Sequence, residues 1–139
     1  MPLIGGGGAA NTAGGNPAGT GTGLNYVRSS RGNYAYAYSG AIAVPNAATT
    51  LNLFTTGSEV LVMQWVPAYV EEAGDNMQFR VHFNDENSYQ TTLDSRLVGS
   101  PFTYINFIIP PYTTVKVTCE NKSGSSPVNV MSNFTGEVI

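Results

Sequence analysis

Charge is scarce in this chain. Only 11% of its 139 residues are Asp, Glu, Lys or Arg, against about a quarter in an ordinary globular protein. Six basic residues against nine acidic ones leave a net charge of −3, and the chain holds one histidine, one tryptophan and one cysteine. Each shortage excludes something. Six scattered cations make no phosphate-binding stripe, so nucleic acid is not an expected partner. The nearest pair, Arg28 and Arg31, reads as solvated or as part of an interface. A single cysteine excludes an intrachain disulfide. No apolar run is long enough to form a membrane-spanning helix, and no membrane role is expected. The chain opens without a basic segment followed by an apolar one, so export by the usual route is not expected. On that view the sequons at Asn121 and Asn133 are chance matches.

The same shortages argue against catalysis. His82 lies on the polar side of an alternating run beside Arg80. A hydrolytic triad needs a histidine against a serine with a carboxylate behind it, and no G-x-S-x-G elbow occurs. Cys119, in TTVKVTCE on the side of Val115 and Val117, reads as a buried structural thiol because no basic partner accompanies it. One histidine and one cysteine do not make a transition-metal site. The acidic stretches Asp85-Glu86-Asn87 and Glu71, Glu72, Asp75 carry the oxygen chemistry of calcium loops, but neither matches a liganding motif, and solvated turns are expected. The glycine runs at Gly5–Gly8 and Gly19–Gly23 neither follow a strand nor open a helix, which removes a phosphate-binding loop. No enzyme, cofactor or metal is implied.

What is present divides the chain in two. Residues 1–23 hold nine of the sixteen glycines, two prolines and no charged side chain. Glycine loses the most backbone freedom on ordering, so residues 1–27 read as a flexible arm that orders only against partners. Leu3 and Ile4 at its tip and Leu24, Tyr26 and Val27 at its base are apolar anchors. Residues 28–139 read as one domain. NYAYAY, TTLNLF, SEVLVMQWVPAYV, NMQFRVHF, SYQTTLDSRL, FTYINFII, TTVKVTCE and VNVMSNFTGEVI are strand candidates separated by turn signals. SEVLVMQWVPAYV reads as buried on both faces, and NMQFRVHF as strictly alternating. No window sustains a helical period.

The expectation is an all-β chain: an eight-stranded antiparallel sandwich of jelly-roll type with an extended N-terminal arm. An immunoglobulin-like sandwich is the runner-up, and its marker cysteines are absent. Tyr34, Tyr36 and Tyr38 share one strand face, with Ala35 and Ala37 on the other. That tyrosine face suits a subunit interface, or, with Trp65 or Tyr89, the stacking of a glycan.

An uncharged arm, an all-β domain and the ending FIIPPYTTVKVTCENKSGSSPVNVMSNFTGEVI together resemble the small single jelly-roll proteins of virus and bacteriophage particles. These are the minor capsid, cement and decoration proteins. The resemblance implies a structural virion protein, made in a host cytoplasm, that forms a homo-oligomer (trimer or pentamer) and contacts a major capsid protein. With no Lys or Arg before Arg28, the arm is expected to touch protein rather than genome. The alternative is a glycan- or receptor-binding sandwich on a particle or fibre surface.

Overall fold

A computed structural model of the chain describes residues 24–29, 31–69, 76–94, 104–124 and 126–139. Within them lie ten strands: β1 (Asn25–Ser29), β2 (Gly32–Tyr38), β3 (Ile42–Val44), β4 (Thr49–Thr55), β5 (Leu61–Tyr69), β6 (Asn76–Phe83), β7 (Glu86–Asp94), β8 (Ile105–Ile109), β9 (Thr114–Asn121) and β10 (Val128–Val138). The described residues contain no helix. Each of the eight expected segments holds one strand. The two extra strands, β1 and β3, are short, and β1 spans the expected boundary at residue 27.

All pairings are antiparallel, and they build two sheets. One runs β1-β2-β10-β5-β8, with β3 also on β10; the other runs β4-β9-β6-β7. The all-β, two-sheet expectation therefore holds. β10 is the hub of the larger sheet, because it pairs with β2, β3 and β5.

Alternation in the sequence becomes an inner and an outer face on each sheet. Met77, Phe79 and Val81 of β6 are buried, and so are Val115, Val117 and Cys119 of β9. From the other sheet come Leu61, Met63 and Trp65 of β5, Ile109 of β8, and Val130 and Phe134 of β10. Aromatic rings join the layers. Phe54 meets Phe134 edge-on at 5.5 Å, Trp65 meets Phe79 at 6.0 Å, and Phe83 meets Phe107 at 5.5 Å. Edge-to-face pairs of this kind contribute about 0.5–1.5 kcal/mol each beyond the area they bury.

β5 corrects one expectation. It is not buried on both faces: Val62 is exposed and Gln64 and Val66 are half-buried on the outside, while Leu61, Met63 and Trp65 fill the core. A β-branched residue on the outer face looks the same in sequence as one inside. Trp65 is the second correction. It is fully buried, its Nε1–H donating to Ser132 Oγ at 2.8 Å, so it is no surface platform for a sugar. Tyr89, half-buried, packs its ring against Trp65 at 6.0 Å and belongs to the core edge.

Two irregularities shape the strands. Between Tyr38 and Ile42 the β2–β3 side carries one residue more than the facing stretch of β10. Ser39 spans this break: its N–H donates to the Ser132 carbonyl at 3.1 Å, and its Oγ accepts the Ser132 N–H at 2.8 Å. Gly40 follows with φ 74, a conformation glycine adopts without strain. In β4 the register shifts between Thr50 and Asn52, so Leu51 is an inserted residue. The β6–β7 connection is a two-residue turn, Asn84 (φ 54) and Asp85 (φ 70), with Phe83 paired to Glu86. Positive φ at both positions is the hairpin geometry that matches strand twist. The turn therefore sits one residue earlier than Asp85-Glu86-Asn87, and Glu86 and Asn87 are in β7.

Candidate functional site

The tyrosines of β2 face outward because their neighbours face inward. Ala35 and Ala37 are buried in the core, while Tyr34 is 39% and Tyr38 46% exposed and Tyr36 is half-buried. Register across the sheet then fixes what stands beside each ring. Tyr34 lies opposite Glu137 of β10, which lies opposite Val62 of β5 and, beyond it, Ile108 of β8. Tyr36 lies opposite Thr135, then Gln64 and Asn106. Tyr38 lies opposite Asn133, then Val66.

The two halves of this face differ. The β2–β10 half carries tyrosines among Glu137, Thr135 and Asn133, and the β5–β8 half carries Val62 and a 70% exposed Ile108. An open depression of about 340 Å³ lies in the first half, lined by Tyr34, Ala35, Tyr36, Tyr38, Thr135, Gly136 and Glu137. The Tyr36 and Tyr38 rings lean together, with centroids 4.8 Å apart and planes tilted by 34°.

Gly136 holds the floor. A Cβ there would run into the Val62 carbonyl oxygen and come within 2.6 Å of the Met63 Cα. The backbone of β10 thus presses on β5 at a point where no side chain fits, and nothing projects from Gly136 into the depression.

The outer face of the smaller sheet is of another kind. Arg80 donates from Nε to Gln90 Oε1 at 3.0 Å, and Asn87 Nδ2 donates to the same oxygen at 3.3 Å. His82, half-buried, stands in register with Lys116 and Asn87. Cys119 is buried opposite Phe79, and desolvation pushes its thiol up to about 12, which leaves it protonated and inert at neutral pH.

The other singled-out residues fall as follows. Leu24 is buried and joins the core, and Tyr26 and Val27 sit in β1, paired with Ala35 and Tyr34. Leu3, Ile4, Glu71, Glu72 and Asp75 lie outside the described residues. Asp85 is exposed in the β6–β7 turn, where the side chain of Asn84 accepts the Thr114 N–H at 2.9 Å. Arg31 is exposed at the β1–β2 turn, and Arg28 lies in β1. Asn121 is fully buried: its Oδ1 accepts the N–H groups of Ser123 and Gly124, and its Nδ2 donates to the Ser126 carbonyl. That sequon asparagine organises a loop and offers no exposed amide.

Sequence reasoning found the tyrosines but missed Thr135, Gly136 and Glu137. β10 could be read as a strand, but nothing local says that it lies against β2, about a hundred positions earlier.

No family model matches the sequence, and no curated protein does. Among solved structures, the insecticidal delta-endotoxin Cry8Ea1 of Bacillus thuringiensis is similar over 71% of this chain at 11% identity and a TM-score of 0.45; this chain spans 19% of that one.

Proposed function

We propose that the chain is a structural virion protein: a jelly-roll subunit of the cement, decoration or minor capsid type that oligomerises and sits on a shell of major capsid protein. The observation that carries this reading is the strand order. With β2 and β3 taken as one interrupted strand and β1 set aside, eight strands remain, four to a sheet. Their orders, β2-β10-β5-β8 and β4-β9-β6-β7, pair the first of these eight strands with the last and nest the hairpins between them. We read that connectivity as two Greek keys rolled into a jelly roll, and it supports the proposal. The low charge of the chain fits a surface meant for contact with other proteins, and no residue is assigned a catalytic role.

Light scattering on a sizing column tests this, comparing the full chain with a version that starts at Leu24 and keeps β1 whole. A defined trimer or pentamer of the full chain supports the reading. If the shortened chain falls to monomer, residues 1–23 belong to the oligomer contact; if it does not, the sandwich makes that contact. Monomers in both forms would overturn the proposal.

A further inference from the structure

We infer that the depression between β2 and β10 is a binding site for a neutral saccharide, a function that goes beyond the virion reading and does not rest on it. A pyranose ring has a flat face of C–H groups and a rim of hydroxyls. The depression offers a counterpart to each. Tyr34, Tyr36 and Tyr38 leave one strand about 7 Å apart along the backbone, and the Tyr36 and Tyr38 rings lean together to 4.8 Å, giving a continuous aromatic surface against which C–H groups can pack. Across from them, Thr135 and Glu137 stand in register with Tyr36 and Tyr34, and the phenol oxygens add groups that both donate and accept. A carboxylate with two acceptor oxygens suits a pair of neighbouring hydroxyls.

Size and charge narrow the class. A volume of about 340 Å³ is at the lower end of small-ligand sites and suits a mono- or disaccharide. Among the described residues no Lys or Arg lines the depression, and the one ionisable side chain there apart from the tyrosines is Glu137. A phosphate, a nucleotide or an acidic sugar would meet the like charge of Glu137, with no described cation lining the depression to offset it. The floor is set in advance: Ala35 is held by the core, and Gly136 is wedged against the backbone of β5. A protein partner would draw instead on Val62 and Ile108, which do not line the depression. That separation makes the two kinds of occupant distinguishable.

The test is a titration of the nitrogen-15-labelled full chain with methyl glucosides, galactosides and mannosides, with cellobiose, maltose and lactose, and with glucuronate as the acidic comparator. Sugars are taken to about 50 mM, above the millimolar dissociation constant expected of an open site. The expected result is saturable shifts confined to β2 and β10 for at least one neutral sugar, and weaker binding of glucuronate. Tyr36→Ala should weaken the neutral sugar about tenfold, and Tyr38→Ser, at the exposed rim, several-fold. Glu137→Gln should narrow the preference over glucuronate, and Ile108→Ser should leave sugar binding unchanged. An absence of saturable shifts, or binding indifferent to both tyrosine variants, would overturn the inference. So would concentration-dependent broadening of this face that Ile108→Ser relieves, which would make it a protein interface.

Discussion

Among the described residues, Asn52 is the buried polar side chain with the least to hold it. It faces the core opposite fully buried Val117, one residue after the insertion at Leu51, and it is itself fully buried. Neither its carboxamide nitrogen nor its oxygen has a hydrogen-bond partner among the described residues. Leaving an amide buried without partners costs about 1–3 kcal/mol. Leucine has the same branched skeleton and no polar atoms, so Asn52→Leu should recover much of that cost, less whatever strain the extra bulk introduces. A net gain of about 1 kcal/mol raises the unfolding midpoint of a chain this size by about 3–5 °C. Asn52→Asp should do the reverse. Burial would raise the folded-state pKa of the new carboxyl above its unfolded value of about 3.9. The variant should therefore be least affected below that pH and lose stability as pH rises through the raised value. Scanning calorimetry of the three proteins at several pH values decides the matter. A lowered midpoint for Asn52→Leu, with its folded spectrum intact, would refute the reasoning by showing that the amide is held by a hydrogen bond worth keeping.

Other substitutions probe other contacts. Gly136→Ala should cost more than about 3 kcal/mol or prevent folding, since β10 would have to leave β5, whereas Gly57→Ala, with open space around it, should stay within about 1 kcal/mol; equal midpoints for the two would contradict the close approach. Thr56 Oγ1 donates to the Pro110 carbonyl and accepts the Thr113 N–H, both at 2.8 Å, tying the end of β4 to the turn before β9. Thr56→Val should thus lower the urea midpoint by about 1–3 kcal/mol of stability with an unchanged slope, and a loss under about 0.5 kcal/mol would count against that tie. Cys119 should resist a thiol reagent at pH 8 until denaturant is added. Because burial raises its folded pKa from 9.0 to about 12, its contribution is fully present below pH 9 and is lost between pH 9 and 12. Rapid native-state labelling would disprove the burial.

Much of the architecture could be read from local pattern. The inward Ala35 and Ala37, the alternation of β6 and the buried row Val115, Val117 and Cys119 each follow from a period of two. What escaped reading has physical causes. β3 is three residues long and follows a break bridged by Ser39. β1 is five residues with no alternation distinct enough to separate it from the glycine-rich stretch before it. Val62 and Val66 are β-branched on both views, so composition could not tell an outer residue of β5 from an inner one. Trp65, a candidate for stacking a glycan, is instead buried, and the partner that satisfies its N–H, Ser132, lies on a strand 67 positions away. The site was half legible for the same reason. Its tyrosines are consecutive in one strand, but Thr135, Gly136 and Glu137 join them only through pairing that closes nearly the whole described chain.

That closure also governs how the molecule must be made. β10, with β2 and β3 on one side and β5 on the other, occupies residues 128–138. Until it emerges during synthesis, β2 and β5 have no partner between them, and the larger sheet exists as two separate edges. Contacts this distant form slowly, on a scale of milliseconds to seconds in proteins of such topology. Exposed strand edges in the interval invite pairing with other chains. The scarcity of charge that suits the finished surface therefore leaves the unfinished one with little repulsion to protect it, and the yield of folded protein should fall as the rate of synthesis rises.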